Sequence, residues 1–152
     1  MKSENSRPRF RRAGPSVADA IQRLYHELVD DPNINVTKKC IGSLEIDPGN
    51  FLIVGEWDSE PIATAFVTFC RDVMYEDQPF AVLENIVVDR RFRGKGIGEA
   101  LMQWIKELCK AHRCTKIMLL SSSKRKEAHS FFQNCGYRGD LKVGFVNYLN
   151  RI

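Results

Sequence analysis

At 152 residues and a net charge of +4, the chain is sized for one domain that can hide roughly 70% of its unfolded surface. Its 43% hydrophobic and 28% charged residues are those of an ordinary globular protein, and no apolar run reaches the roughly 18 residues of a membrane span. The charge is too modest to argue for nucleic acid alone, although it helps attract an anionic small molecule.

The chain opens on MKSENSRPRFRRAG. Cations without a following apolar stretch do not make a signal peptide, and residues 1–7 are expected to fray. RFRRA (9–13) reads as a short strand. SVADAIQRLYHELV spaces Val17, Ile21, Leu24, Tyr25 and Leu28 as one face of a helix, with Ser16 as its expected N-cap. A weaker helix is expected over 37–45, and DPGN (47–50) is a turn. FLIVGEW (51–57) and IATAFVTFC (62–70) read as a hairpin closed by DSEP. A loop over 71–79 carries Asp72, Glu76 and Asp77, and FAVLENIVV (80–88) is a third long strand. A helix follows with Ile97, Leu101, Trp104, Ile105 and Leu108 on one face. TKIMLLS (115–121) is a strand. KEAHSFFQNCG places Ala128, Phe131, Phe132 and Cys135 on a helical stripe closed by Gly136. KVGFVNYL (142–149) is expected as a last strand. The order predicts a single domain over 1–152 of mixed α+β class, a central sheet with helices on its faces.

Cysteines 40, 70, 109, 114 and 135 are odd in number and include no CxxC pair. Reduced, mostly buried thiols of a cytoplasmic protein are expected, and no metal site. His26 and His112 have no partner at metal-ligand spacing. His129, off the apolar centre of its stripe, stands between a surface histidine and a residue for cofactor contact or base work.

Between the third long strand and its helix lies DRRFRGKGIGEAL (89–101). A helix N-terminus leaves about four N–H groups unpaired and adds partial positive charge. Glycines let a phosphate approach that backbone, and Arg93 and Lys95 add full charge. The stretch suits a pyrophosphate. It is not a P-loop, because Gly rather than Ser or Thr follows Lys95, and its glycines do not have dinucleotide-fingerprint spacing. A solvated turn is the plainer alternative.

In this context VVDRRFRGKGIGEAL resembles the acyl-CoA signature of the GNAT superfamily of N-acetyltransferases, with Arg93, Gly96 and Gly98 in register. KRKEAHSFFQNCGY resembles that family's second conserved segment. The likeness covers roughly 8–150 and is specific over 80–137. It implies that Arg93, Gly94, Lys95, Gly96, Ile97 and Gly98 cradle the pyrophosphate of acetyl-CoA. It also implies that Ile86, Val87 and Val88 pair their backbone with the pantetheine arm, and that Arg125 or Lys124 meets the phosphates.

Two sets of residues bear on the chemistry. Alternation along 80–88 puts Val82, Glu84, Ile86 and Val88 on one face, and a carboxylate on an apolar face is costly unless paired or functional. Burial would raise Glu84 toward the range of a general base. Glu84 therefore stands as the candidate base acting through water, with a structural glutamate as the alternative. The family's second segment often supplies a tyrosine that protonates the departing thiolate, but its position here is Phe132. Tyr148 is the candidate acid, with Tyr137 and, more weakly, Cys135 as others by type. A thiol of pKa roughly 8.5–10 also leaves tolerably without one.

The resemblance implies transfer of an acetyl group to a small primary amine. In the family the acceptor site lies between the first helices and the 71–79 loop. Here Glu27, Asp30, Asp31, Asp72, Glu76 and Asp77 would suit a cation, or serve only solubility. A non-catalytic acyl-CoA-binding module is the main rival, with Phe132 in its favour. A nucleic-acid domain built on 90–95 and 124–126 is the lesser one. No membrane or nucleic-acid partner is expected, and a homodimer is left open.

Overall fold

The computed structural model describes residues 7–150, so the expected frayed start lies almost wholly outside the described residues. The chain divides into two compact units that part between Leu119 and Leu120. The first unit carries β1 (Arg9–Arg12), α1 (Ala18–Leu28), α2 (Lys38–Glu45), β2 (Asn50–Trp57), β3 (Glu60–Cys70), β4 (Phe80–Val88), α3 (Ile97–Ala111) and β5 (Ile117–Leu119). The five strands form one sheet in chain order. Its first four strands are antiparallel, and β5 runs parallel to β4. A parallel neighbour needs a crossover, which α3 supplies.

Local chemistry sets the element ends. Asp58 and Ser59 both take positive φ, the two-residue turn whose twist suits a hairpin. Gly49 donates its N–H to Asp47 Oδ1 at 2.7 Å and closes the DPGN turn. Thr37 caps α2 by accepting from Cys40 N–H. At its other end the Arg12 guanidinium donates to the carbonyls of Leu44 and Asp47. Ser16 does not cap α1. Pro15 fixes a helical φ one residue earlier, and Pro15–Val17 forms a 3-10 turn, so α1 starts after Val17.

The sheet is buried on both faces. Leu52 and Val54 face Ile21 of α1 and Ile41 of α2, with Phe66 and Tyr25 packed alongside. The opposite face receives α3, whose Ile97, Leu101, Met102, Ile105 and Cys109 are buried. Trp104 packs there on Phe10 and Phe51. Gly55 lies under the Phe10 ring, where a Cβ would sit only 2.8 Å away.

β4 contains an irregularity that alternation does not predict. Phe66 pairs with Glu84, but Thr64 pairs with Val87, so one residue of β3 spans two of β4. Asn85 sits at this bulge with φ +55°, a conformation asparagine tolerates better than most residues. The expected face of Val82, Glu84, Ile86 and Val88 is therefore split. Val82 and Glu84 lie opposite Thr68 and Phe66, on the α1–α2 face. Beyond the bulge Val87 takes that face, and Val88, opposite Ala63, takes the other.

The second unit carries α4 (Lys126–Asn134). Gly136, at φ +93°, donates to Gln133, and Tyr137 donates to the Phe132 carbonyl. This is a Schellman ending, and the Phe132 and Tyr137 rings supply its usual apolar contact. The strand expected over 142–149 is absent. Its apolar pattern slips phase at Phe145 and Val146, and a strand without a neighbour leaves its backbone unpaired. The segment has no regular structure, and Val143, Phe145, Tyr148 and Leu149 are exposed. Gly144 passes so close to the Leu120 side chain that a Cβ would collide.

The cysteines are not mostly buried, contrary to expectation. Cys40 is exposed, Cys109 is buried, and the other three are intermediate. Burial pushes the Cys109 thiol up to about 12, with Cys114 adding to the shift.

Candidate active site

The loop between β4 and α3 is held by its first residue. The Asp89 side chain is 1% exposed. It accepts the Arg91 N–H at 2.9 Å and the guanidinium groups of Arg91 at 2.8 Å and Arg23 at 2.7 Å. Hydrogen bonds from Arg91, opposed by burial and helped by Arg23, hold its carboxyl well below the usual carboxylate range. Arg91 also reaches Glu60 at 2.5 Å, and Arg90 lies 3.4 Å from Glu27 of α1. Two of the four loop cations are thus tied to carboxylates that anchor the loop to α1 and to the start of β3. The other two differ. Arg93 donates from Nε to the Val88 carbonyl at 3.1 Å, and Lys95 Nζ lies 5.7 Å from the Trp57 ring. Both side chains are exposed.

The glycines shape the turn into α3. Gly94 and Gly96 have φ of +77° and +76°, and a Cβ on either would meet no atom within 4 Å. Left-handed backbone and open space together suit a ligand that approaches the main chain. Gly96 caps α3 with no side-chain cap. Ala100 N–H bonds back to the Gly96 carbonyl, so the N–H groups of Ile97, Gly98 and Glu99 lie in the unsatisfied first turn. Ile97 is 1% exposed and fixes the helix start in the core. This is an anion cradle beside two exposed cations.

The strand leading into the cradle is open on one edge. β4 pairs with β5 only over Ala81–Leu83. The β5 side of Glu84–Val88 is therefore free of sheet pairing, over the stretch that includes Ile86, Val87 and Val88. Glu84 is exposed, which corrects the expectation of a buried carboxylate: the bulge turns the strand just where Glu84 leaves the packed part of the face. The base assignment must rest on position and not on desolvation.

Beneath the bulge, on the α1–α2 face, lies a cavity of about 230 Å³ walled by Tyr25, Val36, Cys40, Leu52, Phe66 and Asn85, among others. The Tyr25 phenol interacts with the Asn85 side chain. Burial raises its pKa above the ordinary tyrosine value, against the lowering effect of that hydrogen bond. Tyr25 is thus neutral at physiological pH.

Four of the six carboxylates expected to line an acceptor site are engaged elsewhere. Asp77 pairs with Arg71, Asp72 accepts Met74 N–H, and Asp31 accepts Asn33 N–H. Glu27 faces Arg90. None of these residues lines the cavity.

Arg125 and Tyr148 belong to the second unit. Arg125 starts α4 and donates its N–H to Ser122 O at 3.0 Å. Tyr148 is 91% exposed. His129 is half-buried, and its Nε2 lies 2.8 Å from the same Ser122 carbonyl. That contact organises the turn before α4.

A family model described as the acetyltransferase (GNAT) family matches residues 16–137. The chain belongs to the GNAT acetyltransferase family. A putative acetyltransferase from Agrobacterium tumefaciens superposes with a TM-score of 0.85 at 26% identity, covering 93% of this chain and 99% of that one. The sequence is also 37% identical over 54 residues to glucosamine 6-phosphate N-acetyltransferase from Arabidopsis thaliana. That stretch is 36% of this chain and 34% of the relative, so the likeness spans about a third of the plant enzyme. An aminoglycoside N-acetyltransferase solved in complex with CoA superposes with a TM-score of 0.80 at 15% identity over 97% of this chain and 99% of its own, a likeness of fold. The mixed sheet with helices on both faces is thus the GNAT fold.

Sequence reasoning misses Asn85, Tyr25 and the Arg23–Asp89–Arg91 cluster. Asparagine is disfavoured within strands, and its place between Glu84 and Ile86 is the signal for the bulge. Tyr25 reads in sequence only as part of an apolar stripe. No local pattern joins Arg23 to Asp89, 66 residues away.

Proposed function

We propose that the protein moves an acetyl group from acetyl-CoA to the primary amine of a small molecule, as one catalytic domain in the cytoplasm. The observation that carries this is the Gly94–Gly96 turn, which opens the α3 N-terminus beside an unpaired stretch of β4. A single family model crosses the boundary between the two units, which supports one domain. Among the described residues no helix is long and apolar enough to cross a membrane.

The N–H groups of residues 93–98 would receive the pyrophosphate, with Arg93 and Lys95 adding charge. The free edge of Ile86–Val88 would hold the pantetheine arm. The amine must first lose a proton, to Glu84 through water. Its lone pair then attacks the thioester carbonyl carbon, and a β4 N–H meets the developing oxyanion. The C–S bond breaks, the attacking nitrogen gives its second proton to water, and the thiolate leaves, taking a proton from water or from Tyr148. Arg125 is proposed to meet the phosphates. No cysteine nucleophile is needed.

Phe132 favours a second reading, a module that binds acyl-CoA without turnover. Its ring serves the α4 ending with Tyr137, a packing role compatible with either. The test is a panel of primary amines with acetyl-CoA, followed by thiol release and product mass. Acetylation of any amine supports the enzyme, and binding without turnover across the panel supports the module. Glu84→Gln is expected to lower kcat by about 100-fold, the usual scale of general-base loss, with unchanged acetyl-CoA affinity. Full activity of that variant from pH 6 to 9 would remove Glu84 from the mechanism.

A further inference from the structure

The cavity beneath the β4 bulge has a chemistry that points to one kind of acceptor. Its wall includes Val36, Leu52 and Phe66, and its polar members are Tyr25, Asn35, Thr37, Cys40 and Asn85. Among the described residues no charged side chain lines it. The Tyr25 phenol and the Asn85 side chain interact with each other. A phosphate or carboxylate placed here would find no cation in the wall, which disfavours such groups. An apolar body would instead bury surface against Val36, Leu52 and Phe66.

Place and size narrow the choice. Asn85 follows Glu84 directly in the chain, so the cavity ends at the stretch of β4 proposed to hold the thioester. At about 230 Å³ it exceeds the roughly 150 Å³ apolar cavity that takes up benzene, so a body of benzene size or somewhat larger fits.

We infer that the acceptor is a small primary amine on an uncharged, apolar body, an alkyl or arylalkyl amine, with the body in this cavity and the nitrogen toward Glu84. The inference rests on the transferase reading above. It sets this chain apart from a relative named for a phosphorylated amino sugar.

The test uses the full chain and three readouts. Calorimetry with acetyl-CoA checks the reading underneath. Turnover is then compared for propylamine through hexylamine, phenethylamine, glucosamine 6-phosphate and aspartate. The expected result is a kcat/KM that rises about 3- to 4-fold per added methylene until the cavity is full. Apolar amines are expected to exceed both charged acceptors by at least about 100-fold. The third readout needs no catalysis. Cys40 is the exposed thiol at the cavity wall, and saturating hexylamine is expected to slow its alkylation by iodoacetamide several-fold, read by peptide mass. Val36→Asp, at a half-buried wall position outside any regular element, is expected to lower kcat/KM for hexylamine at least about 10-fold with acetyl-CoA affinity intact.

Preference for either charged acceptor, or no protection of Cys40, with acetyl-CoA binding intact, would overturn the inference and leave the transferase reading standing. Failure of acetyl-CoA to bind would remove both.

Discussion

Gly96→Glu is expected to abolish acetyl-CoA binding while the protein remains folded. At φ +76°, any side chain at position 96 adds strain of about 1–2 kcal/mol. The space above it is open, so glutamate would not collide with the protein. Its carboxylate would instead project beside the unsatisfied N–H groups of α3 and occupy the place of a phosphate. Gly96→Ala separates the two effects, because it carries the strain without the charge. The alanine variant is expected to lose roughly 1 kcal/mol of stability and only part of its affinity. Calorimetry on both variants, with circular dichroism to check folding, decides the matter. Unchanged affinity in the glutamate variant would take the glycine turn out of the binding site.

Asp89→Asn is expected to cost about 3 kcal/mol, the low end for removing one partner of a buried ion pair, because Arg23 and Arg91 are themselves partly exposed. For a chain of this size that lowers Tm by about 6–12 °C. The pH dependence carries the specific signature. The folded carboxyl titrates below its unfolded value. Its contribution is therefore complete above about pH 4 and is lost as pH falls through the folded value. Each unit below the unfolded pKa removes about 1.4 kcal/mol. The stability gap between wild type and Asp89→Asn is expected to narrow by about 1 kcal/mol between pH 7 and pH 3, measured by denaturant unfolding. A gap that stays constant with pH would mean that the ion pairs do not set the loop. The variant is also expected to weaken acetyl-CoA binding, since Asp89 holds the turn that leads into Gly94.

These two residues show what a linear reading reaches. The glycine turn, its two exposed cations and the α3 stripe are legible because each rests on local rules: φ preference, helix dipole and 3.6-residue spacing. The three long strands are legible for the same reason. The loop's inner cations are not, because Arg90 and Arg91 look identical to Arg93 until Glu27, Glu60 and Asp89 are brought to them. Alternation puts Glu84 on the correct face but makes it buried, because a strict period of two hides a bulge. The last strand fails because strand propensity needs a partner, and Lys142–Leu149 offers a pattern that changes phase midway. The cavity wall is out of reach, since it joins Tyr25, Phe66 and Asn85 from three distant parts of the chain.

The most direct measurement is calorimetric titration of the purified chain with acetyl-CoA, because binding does not depend on knowing the amine. Saturable binding at one site is expected, weakened by added salt because the pyrophosphate is held partly by Arg93 and Lys95. A folded protein, free of co-purified CoA, that shows no binding would mean that the glycine turn is not an acetyl-CoA site.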